Sequence, residues 1–185
     1  IALEVLWNRL ISIVNEQAAV LINTSFTTVV REAGDLSAAV FDTDGKMLAQ
    51  AVTGTPGHIN PMPAAIRHFL KSYPLDTLDP GDTLITNNPW FTAGHLNDLT
   101  VATPVFFKGR PVGLFGNICH AMDIGGRTFG AEAREVFEEG LHIPPLKLYR
   151  GGEPNGELFS VIRANVRAPD AVVGDLHAQV TANEV

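Results

Sequence analysis

Two histidines and two aspartates have the residue types and the spacing of a metal site. Asp98 follows His95 by three residues, His120 follows His95 by 25, and Asp123 comes three residues after His120. Two imidazoles and one carboxylate leave coordination positions open, as catalytic zinc, manganese or iron sites require, whereas a closed structural site takes about four protein ligands. The residue types therefore predict a catalytic centre built around a divalent ion.

A β-hairpin between these residues would bring them together. Residues 100–107 and 111–120 are rich in β-branched and aromatic side chains, and Gly109 lies in the turn between them. If residue 107 pairs with residue 111, the numbers of facing residues sum to 218, so that Asp98 faces His120 and His95 faces Asp123. Facing residues have Cβ atoms roughly 4.5–5.5 Å apart, which suits a cation held between side chains, provided that the ladder extends as far as these residues.

The same residues also have structural explanations. His95 and Asp98 could cap a turn, and His120 could be a hydrogen-bonded core histidine, since a histidine and an aspartate three residues apart arise often by chance. Asp123 is a fourth ligand, an acceptor for His95, or the start of a turn that the following glycines favour. The spacing by itself leaves these alternatives open.

Further chemical groups are more dispersed along the chain. His58 lies in a loop rich in Gly and Pro and could orient a substrate, although exposed loop histidines are usually inert. Glu32 and Asp35 could form an acid–base or ligand pair, or a solvated face. We expect Cys119 to be a core residue, because neighbours on a strand point to opposite faces, and we expect residues 138–140 to be a solvated loop.

Composition excludes several classes of function. The chain has 185 residues, a formal net charge of −7 and no basic run, so a nucleic-acid partner is not expected. No apolar run approaches the roughly 20 residues of a membrane-spanning helix, and no secretory signal opens the chain. We therefore expect a cytoplasmic protein without a membrane contact. A glycine-rich phosphate loop ending in Lys-Ser/Thr is also missing from the sequence, so ATP is not bound by that device.

Periodicity predicts an α+β fold, a mainly antiparallel sheet built from hairpins with flanking helices. A helix is predicted from Leu3 for about five turns, and residues 24–30 are ambiguous between strand and helix. The remaining predicted elements are a hairpin at 37–41 and 46–50, a helix at 63–73, a strand at 82–87, a connection with one helical turn at 127–141, a proline-rich loop at 143–146, and helices at 157–166 and from 169. The chain starts directly in a helix and is still helical in pattern at Val185, so we expect a fragment of a longer protein.

Several motifs in a fixed order resemble the hydantoinase B/oxoprolinase family. This family includes N-methylhydantoinase B subunits, the C-terminal half of 5-oxoprolinase and acetone carboxylase α subunits. The resemblance extends over nearly the whole chain and is carried by residues 32–37, 41–42, 87–91, 94–98, 120–126 and 139–145. It implies that residues 1–185 are the N-terminal metal-binding portion of a longer subunit.

The resemblance implies specific roles for the candidate residues. His95, Asp98 and His120 match metal ligands, and Asp35 matches an acidic position near the metal, so the carboxylate ligand is either Asp98 or Asp35. Glu32, His58 and Asp123 are weaker active-site candidates. Ala33 stands where the family commonly has arginine, and residues 57–60 vary the usual histidine loop, so substrate contacts could differ.

The resemblance also implies divided chemistry. A hydantoinase A-like partner subunit is expected to bind ATP and to phosphorylate a small substrate, while this chain holds a divalent metal (Zn, Mn or Fe) that activates water or polarises the phosphorylated intermediate. We therefore expect a hetero-oligomeric, ATP-dependent hydrolase of a cyclic amide such as a hydantoin or lactam. The alternatives are a ketone carboxylase α subunit, an ATP-independent iron oxygenase that consumes a 2-oxoacid, and a ligand-binding sensory module without chemistry.

Overall fold

The computed structural model describes residues 2–127, 130 and 132–185. Part of the predicted connection at 127–141, namely residues 128, 129 and 131, lies outside the described residues. The strands are β1 (Leu36–Phe41), β2 (Met47–Gln50), β3 (Thr83–Thr86), β4 (Asp98–Phe107), β5 (Arg110–His120), β6 (Leu146–Arg150) and β7 (Glu153–Pro154). The helices are α1 (Ala2–Thr24), α2 (Thr28–Arg31), α3 (Pro56–Ile59), α4 (Met62–Ser72), α5 (Gly156–Asn165) and α6 (Pro169–Ala182), with 3₁₀ turns at Leu75–Thr77 and Val136–Glu138.

The seven strands form one antiparallel sheet in the spatial order β2-β1-β5-β4-β3-β6-β7. This architecture confirms the predicted α+β class. The predicted helices and both predicted hairpins are present within a few residues of their expected bounds. The ambiguous stretch at 24–30 is resolved as the end of α1 followed by the short helix α2.

Helices cover both faces of the central strands. On one face Leu36, Ala38 and Val40 of β1 belong to a hydrophobic cluster with residues of α1 and α6. On the opposite face Ala39 and Phe41 belong to a cluster with residues of α4. Because successive side chains of a strand alternate between faces, covering both faces requires an apolar run without alternation. Five of the six residues of β1 are apolar, the exception being Ser37, and all six are buried.

The β4–β5 hairpin has the predicted register at one end but not at the other. Near the turn Phe106 pairs with Pro111, so the predicted pairing of residues 107 and 111 was wrong by one position. A bulge between Val105 and Phe106 then shifts the ladder, because a bulge places one extra residue on one strand. From there on the numbers of paired residues sum to 218, and Asp98 pairs with His120 as predicted.

The β6–β7 hairpin was not predicted. Pro144 and Pro145 favour a loop, since proline cannot donate to a sheet ladder, and the loop prediction obscured the strand that begins at Leu146. Gly151 and Gly152 form its turn with φ of +56° and +88°, a backbone region that glycine enters without steric cost. The hairpin adds two strands beyond β3 at one edge of the sheet.

Membrane insertion through a helix finds no support in the part of the chain that the structure describes, where no helix combines the length and the apolar character of a bilayer span.

Candidate metal centre

The candidate site lies where the ends of three neighbouring interior strands of the sheet come together. In the order β1-β5-β4 the strands are antiparallel, so the start of β1, the end of β5 and the start of β4 are side by side. Backbone hydrogen bonds extend both ladders beyond the strand ends, from His120 N–H to Asp35 O at 3.1 Å and from Ala121 N–H to Asn97 O at 2.7 Å. Asp35, His120 and Asp98 are therefore placed by regular backbone pairing.

Asp98 is the centre of the cluster. Its Oδ1 lies 3.0 Å from His120 Nδ1, and its Oδ2 lies 3.1 Å from His95 Nε2 and 3.1 Å from His58 Nε2. One ligand atom from each of His95, Asp98 and His120 can be chosen so that all three lie within 4.8 Å of one another. A divalent ion with bonds of about 2.0–2.2 Å fits between groups at this spacing.

Asp35 and His58 complete a second side of the cluster. The one-turn helix α3 begins at Pro56 and carries His58 over the start of β1. The prediction that His58 lies in a loop was therefore wrong, since the residue is helical and buried. His58 Nε2 lies 3.7 Å from Asp35 Oδ1, and His120 Nδ1 lies 3.9 Å from Asp35 Oδ2. The Thr55 hydroxyl donates to Asp35 Oδ1 at 3.1 Å and so orients this carboxylate. Asp35 is thus close enough to be an additional ligand or to orient one.

The members of the cluster differ in their access to solvent. Asp98 is 1% exposed and His58 is 4% exposed, whereas the side chain of His95 is 33% exposed. Burial alone would raise the pKa of Asp98, but the imidazoles of His120, His58 and His95 hold it well below its ordinary value. The Asp98 carboxylate in turn raises the pKa of His95, against the effect of burial. The centre therefore contains an ionised carboxylate beneath a partly open imidazole.

The donor set fits a divalent transition metal. Within the described residues, the buried Oδ2 atom of Asp98 accepts no hydrogen bond of ordinary geometry, although two imidazole nitrogens lie 3.1 Å away. A buried carboxylate oxygen without a directed donor is costly unless another group satisfies it. Imidazole and carboxylate together are typical ligands of zinc, manganese and iron. His95, Asp98 and His120 would hold such an ion, with Asp35 and His58 beside them.

Two of the predicted site residues are not in this cluster. The Glu32 carboxylate, whose side chain is 65% exposed, pairs with Arg31 at 3.5 Å. Asp123 accepts hydrogen bonds from Gly125 N–H at 3.0 Å and from the Arg167 guanidinium at 2.9 Å. The predicted facing of His95 and Asp123 required the ladder to extend that far, and it does not: the last strand pair is Asp98 with His120, and one further backbone hydrogen bond joins Ala121 to Asn97. Of the alternatives for Asp123, the structure shows the turn.

Cys119 is a core residue, as predicted. It is 2% exposed and packs in the cluster beneath α1. Burial raises the pKa of its thiol well above the ordinary value, so the thiolate that nucleophilic chemistry requires is disfavoured.

Sequence reasoning missed two residues that contact the loop of the candidate site. Asn87 is fully buried and its side-chain amide donates to Leu96 O at 2.8 Å. Glu139 accepts a hydrogen bond from Leu96 N–H at 2.8 Å, so the prediction that residues 138–140 are only a solvated loop was wrong for Glu139. Both residues lie in segments that carry the family resemblance, and this position was the signal in the sequence that could have found them. Neither segment, however, indicates a contact with Leu96.

Fold and site together define an antiparallel α+β domain with a histidine–aspartate cluster at the ends of its central strands. The chain belongs to the hydantoinase B/oxoprolinase family, whose model matches residues 1–185. A solved structure of the ATP-dependent caprolactamase from Pseudomonas jessenii superimposes with a TM-score of 0.88 at 31% identity, covering 99% of this chain and 32% of that one. A nucleotide-free acetone carboxylase structure superimposes with a TM-score of 0.87 at 20% identity, covering 98% of this chain and 24% of that one, and shows a shared fold.

Named relatives point to the same family. The 5-oxoprolinase of Dictyostelium discoideum is 33% identical over 186 residues, which are 99% of this chain and 14% of the relative. The caprolactamase subunit beta of Pseudomonas jessenii is 33% identical over 175 residues, which are 92% of this chain and 29% of the relative. The chain spans about a third of the length of the first relatives it matches.

Proposed function

We propose that this chain carries the metal centre of an ATP-dependent enzyme that hydrolyses a cyclic amide, such as a hydantoin or a lactam. The observation that carries the proposal is the convergence of His95, Asp98 and His120 around a buried carboxylate at the strand ends. Membership of the hydantoinase B/oxoprolinase family supports it, because the convergent residues are those that the family resemblance selects.

Sequence identity favours amide hydrolysis over ketone carboxylation. The relatives named as caprolactamase and 5-oxoprolinase are each 33% identical to this chain, whereas the acetone carboxylase structure is 20% identical. A ketone carboxylase α subunit therefore remains the second enzyme candidate, on fold alone. Family membership likewise favours an enzyme over a sensory module or an iron oxygenase.

The chain's own residues divide the work in this proposal. His95, Asp98 and His120 hold the ion, Asp35 and His58 fix the orientation of the ligands, and the partly exposed edge of His95 leaves room for a substrate. A divalent ion bound there would lower the pKa of water and polarise a carbonyl or phosphoryl oxygen. A hydantoinase A-like partner subunit would bind ATP and phosphorylate the amide oxygen. Water would then add to the ring carbon, the C–N bond would break with the nitrogen leaving as an amine, and a second water would release phosphate from the resulting acyl phosphate.

The test uses the full-length subunit together with its ATP-binding partner. We expect about one zinc, manganese or iron ion per subunit by elemental analysis, and ATP-dependent ring opening of at least one member of a hydantoin and lactam panel. His120→Ala should abolish both, whereas His142→Ala, at an exposed side chain outside the cluster, should preserve both. Subunits that contain no metal, or hydrolysis without ATP, would contradict the proposal, and turnover only with a ketone and bicarbonate would select the carboxylase.

A further inference from the structure

The three metal-ligand candidates are not held in the same way. Asp98 and His120 face each other in the β4–β5 ladder, so backbone pairing fixes both. His95 lies three residues before β4, outside the ladder, and is the most exposed of the three. Besides the contact of its Nε2 with Asp98 Oδ2 at 3.1 Å, contacts of its loop with other parts of the chain fix its position.

The peptide groups next to His95 are held from both sides. Leu96, whose side chain is fully buried, donates its N–H to Glu139 Oε2 at 2.8 Å, and its carbonyl accepts from Asn87 Nδ2 at 2.8 Å. These partners are 43 and nine residues away in sequence.

Asn87 has a hydrogen-bonding pattern that few side chains could reproduce. Its Nδ2 donates to Leu96 O and, at 2.9 Å, to Leu141 O, while its Oδ1 accepts from Ile143 N–H at 2.7 Å. Only a primary amide supplies two donors and an acceptor from one planar group. Asn87 thus joins the loop of His95 to the segment that follows Glu139, and it does so at 0% exposure.

Glu139 is set in place by the backbone on either side of it. Glu138 O accepts from Arg127 N–H at 2.8 Å, and Leu141 N–H donates to Ile124 O at 2.8 Å. The hydrogen bond from Leu96 N–H to the Glu139 carboxylate is charge-assisted, and such bonds are roughly twice as strong as neutral ones.

We propose that Asn87 and Glu139 are positioning residues that fix the Leu96 peptide and thereby hold the His95 imidazole towards Asp98 and His120. The inference rests on the proposed metal centre. It goes beyond that centre because it assigns a role in metal affinity to two residues that do not touch the ion. Partners that orient ligands in this way typically contribute 10–100-fold to metal affinity.

The test measures metal affinity by competition with a chelator, using the full-length subunit, and records the electron paramagnetic resonance spectrum of bound Mn²⁺. Glu139→Asp keeps the charge but withdraws the carboxylate by one methylene, so we expect about 10-fold weaker binding and an altered spectrum. Glu139→Gln keeps an acceptor at the same reach, so we expect affinity within about threefold of the unmodified subunit, since a neutral hydrogen bond is only partly weaker.

Glu138→Ala is the matched control, because Glu138 is adjacent but pairs with Arg127 at 2.9 Å. It should leave affinity unchanged. A second variant, Asn87→Asp, replaces the two N–H donors of the amide by a charged oxygen that faces two carbonyl groups. It should weaken metal binding more than Glu139→Asp does. Thermal unfolding shows whether the Asn87→Asp protein is folded.

Unchanged metal affinity and an unchanged spectrum in Glu139→Asp would overturn the inference. Weak metal binding in Glu139→Gln together with normal binding in Glu139→Asp would also overturn it, because that pattern indicates an effect of the charge and not of the hydrogen bond. If Asn87→Asp does not fold, the two Glu139 variants decide the question, since Glu139 is only half-buried. If the unmodified subunit binds no metal, the proposed function fails instead, which distinguishes the two failures.

Discussion

Two buried aspartates, Asp98 and Asp82, show how this protein separates chemistry from structure. Each is 1% exposed. Asp82 accepts hydrogen bonds from Lys147 Nζ at 2.6 Å, Asp79 N–H at 2.9 Å and Gly151 N–H at 3.1 Å, so both its oxygens have fixed donors. Asp98 faces three imidazoles, and its Oδ2 has no directed donor among the described residues.

The comparison shows how a buried carboxylate that binds a metal should differ from one that only stabilises the fold. A buried carboxylate whose two oxygens both accept hydrogen bonds contributes to stability, because these bonds offset the cost of removing the carboxylate from water. A buried carboxylate surrounded by imidazoles leaves electron pairs for an external cation. The same substitution should therefore act on different properties at the two positions: on metal binding at Asp98 and on stability at Asp82.

The largest effect is expected for Asp98→Asn. This change keeps the size of the side chain but removes the charge at the centre of the three imidazoles, so metal affinity should fall by more than the roughly 100-fold that loss of a ligand's hydrogen-bond partner costs. Chelator competition and elemental analysis of the full-length subunit measure the loss, and activity of the complex should disappear with it. A variant that retains a stoichiometric ion at unchanged affinity would contradict the assignment of Asp98 as the carboxylate ligand.

Asp82→Asn is the counterpart with the next largest effect. It removes the charge that Lys147 pairs with, so the free energy of unfolding should fall by about 2–3 kcal/mol, as for hydrogen bonds to charged groups. Denaturation of the full-length subunit measures this change. Metal affinity should stay that of the unmodified protein, and a parallel loss of metal would mean that the two regions are coupled.

The pH dependence of stability sharpens the same prediction. Burial alone would raise the pKa of Asp82, but hydrogen bonds from Asp79, Lys147 and Gly151 lower it below its ordinary value of 3.8. Because the folded pKa is the lower one, the contribution of Asp82 is fully present above the unfolded pKa near 3.9 and is lost as the pH falls through the folded pKa. Below about pH 4 the difference in stability between the unmodified protein and Asp82→Asn should therefore shrink.

A smaller effect is expected for His58→Ala. His58 Nε2 lies 3.1 Å from Asp98 Oδ2, but His58 is not one of the three residues whose ligand atoms converge. We expect metal affinity to fall by about 10-fold while the saturated stoichiometry is kept. His68→Ala is the control, since the His68 ring stacks on the Phe91 ring with 3.9 Å between the ring centroids and is not part of the cluster. Complete loss of the ion in His58→Ala would make His58 a ligand.

The smallest effect is expected for Asp123→Asn. Asp123 accepts from Gly125 N–H and from an Arg167 side chain that is 60% exposed, so we expect a loss of about 1 kcal/mol in the free energy of unfolding. Metal binding should not change, because Asp123 joins a turn to the start of α6 and not the cluster. Altered metal affinity in a normally stable Asp123→Asn protein would contradict this assignment.

How much of the site was predictable depends on how each residue is held. Asp98 and His120 were predictable because they lie on consecutive strands joined by a short turn, where register follows from local pairing. Even there, the predicted pairing near the turn was off by one residue. The bulge between Val105 and Phe106, which the sequence did not reveal, shifts the ladder so that Asp98 still pairs with His120. For Glu32 and Asp123, residue type alone indicated chemistry that the packing does not bring to the cluster.

The sequence by itself determined most of the local elements, from the amphipathic helices to the β4–β5 hairpin with Asp98 opposite His120, but not the β6–β7 hairpin. These depend on periodicity and turn residues that are close together in the chain. Only the tertiary structure decided that β1 pairs with β5, which brings Asp35 and His58 to the cluster, and that Asn87 and Glu139 hold the loop of His95. Such contacts join distant segments, and their partners are selected by packing and hydrogen bonding, which leave no periodic pattern in the sequence.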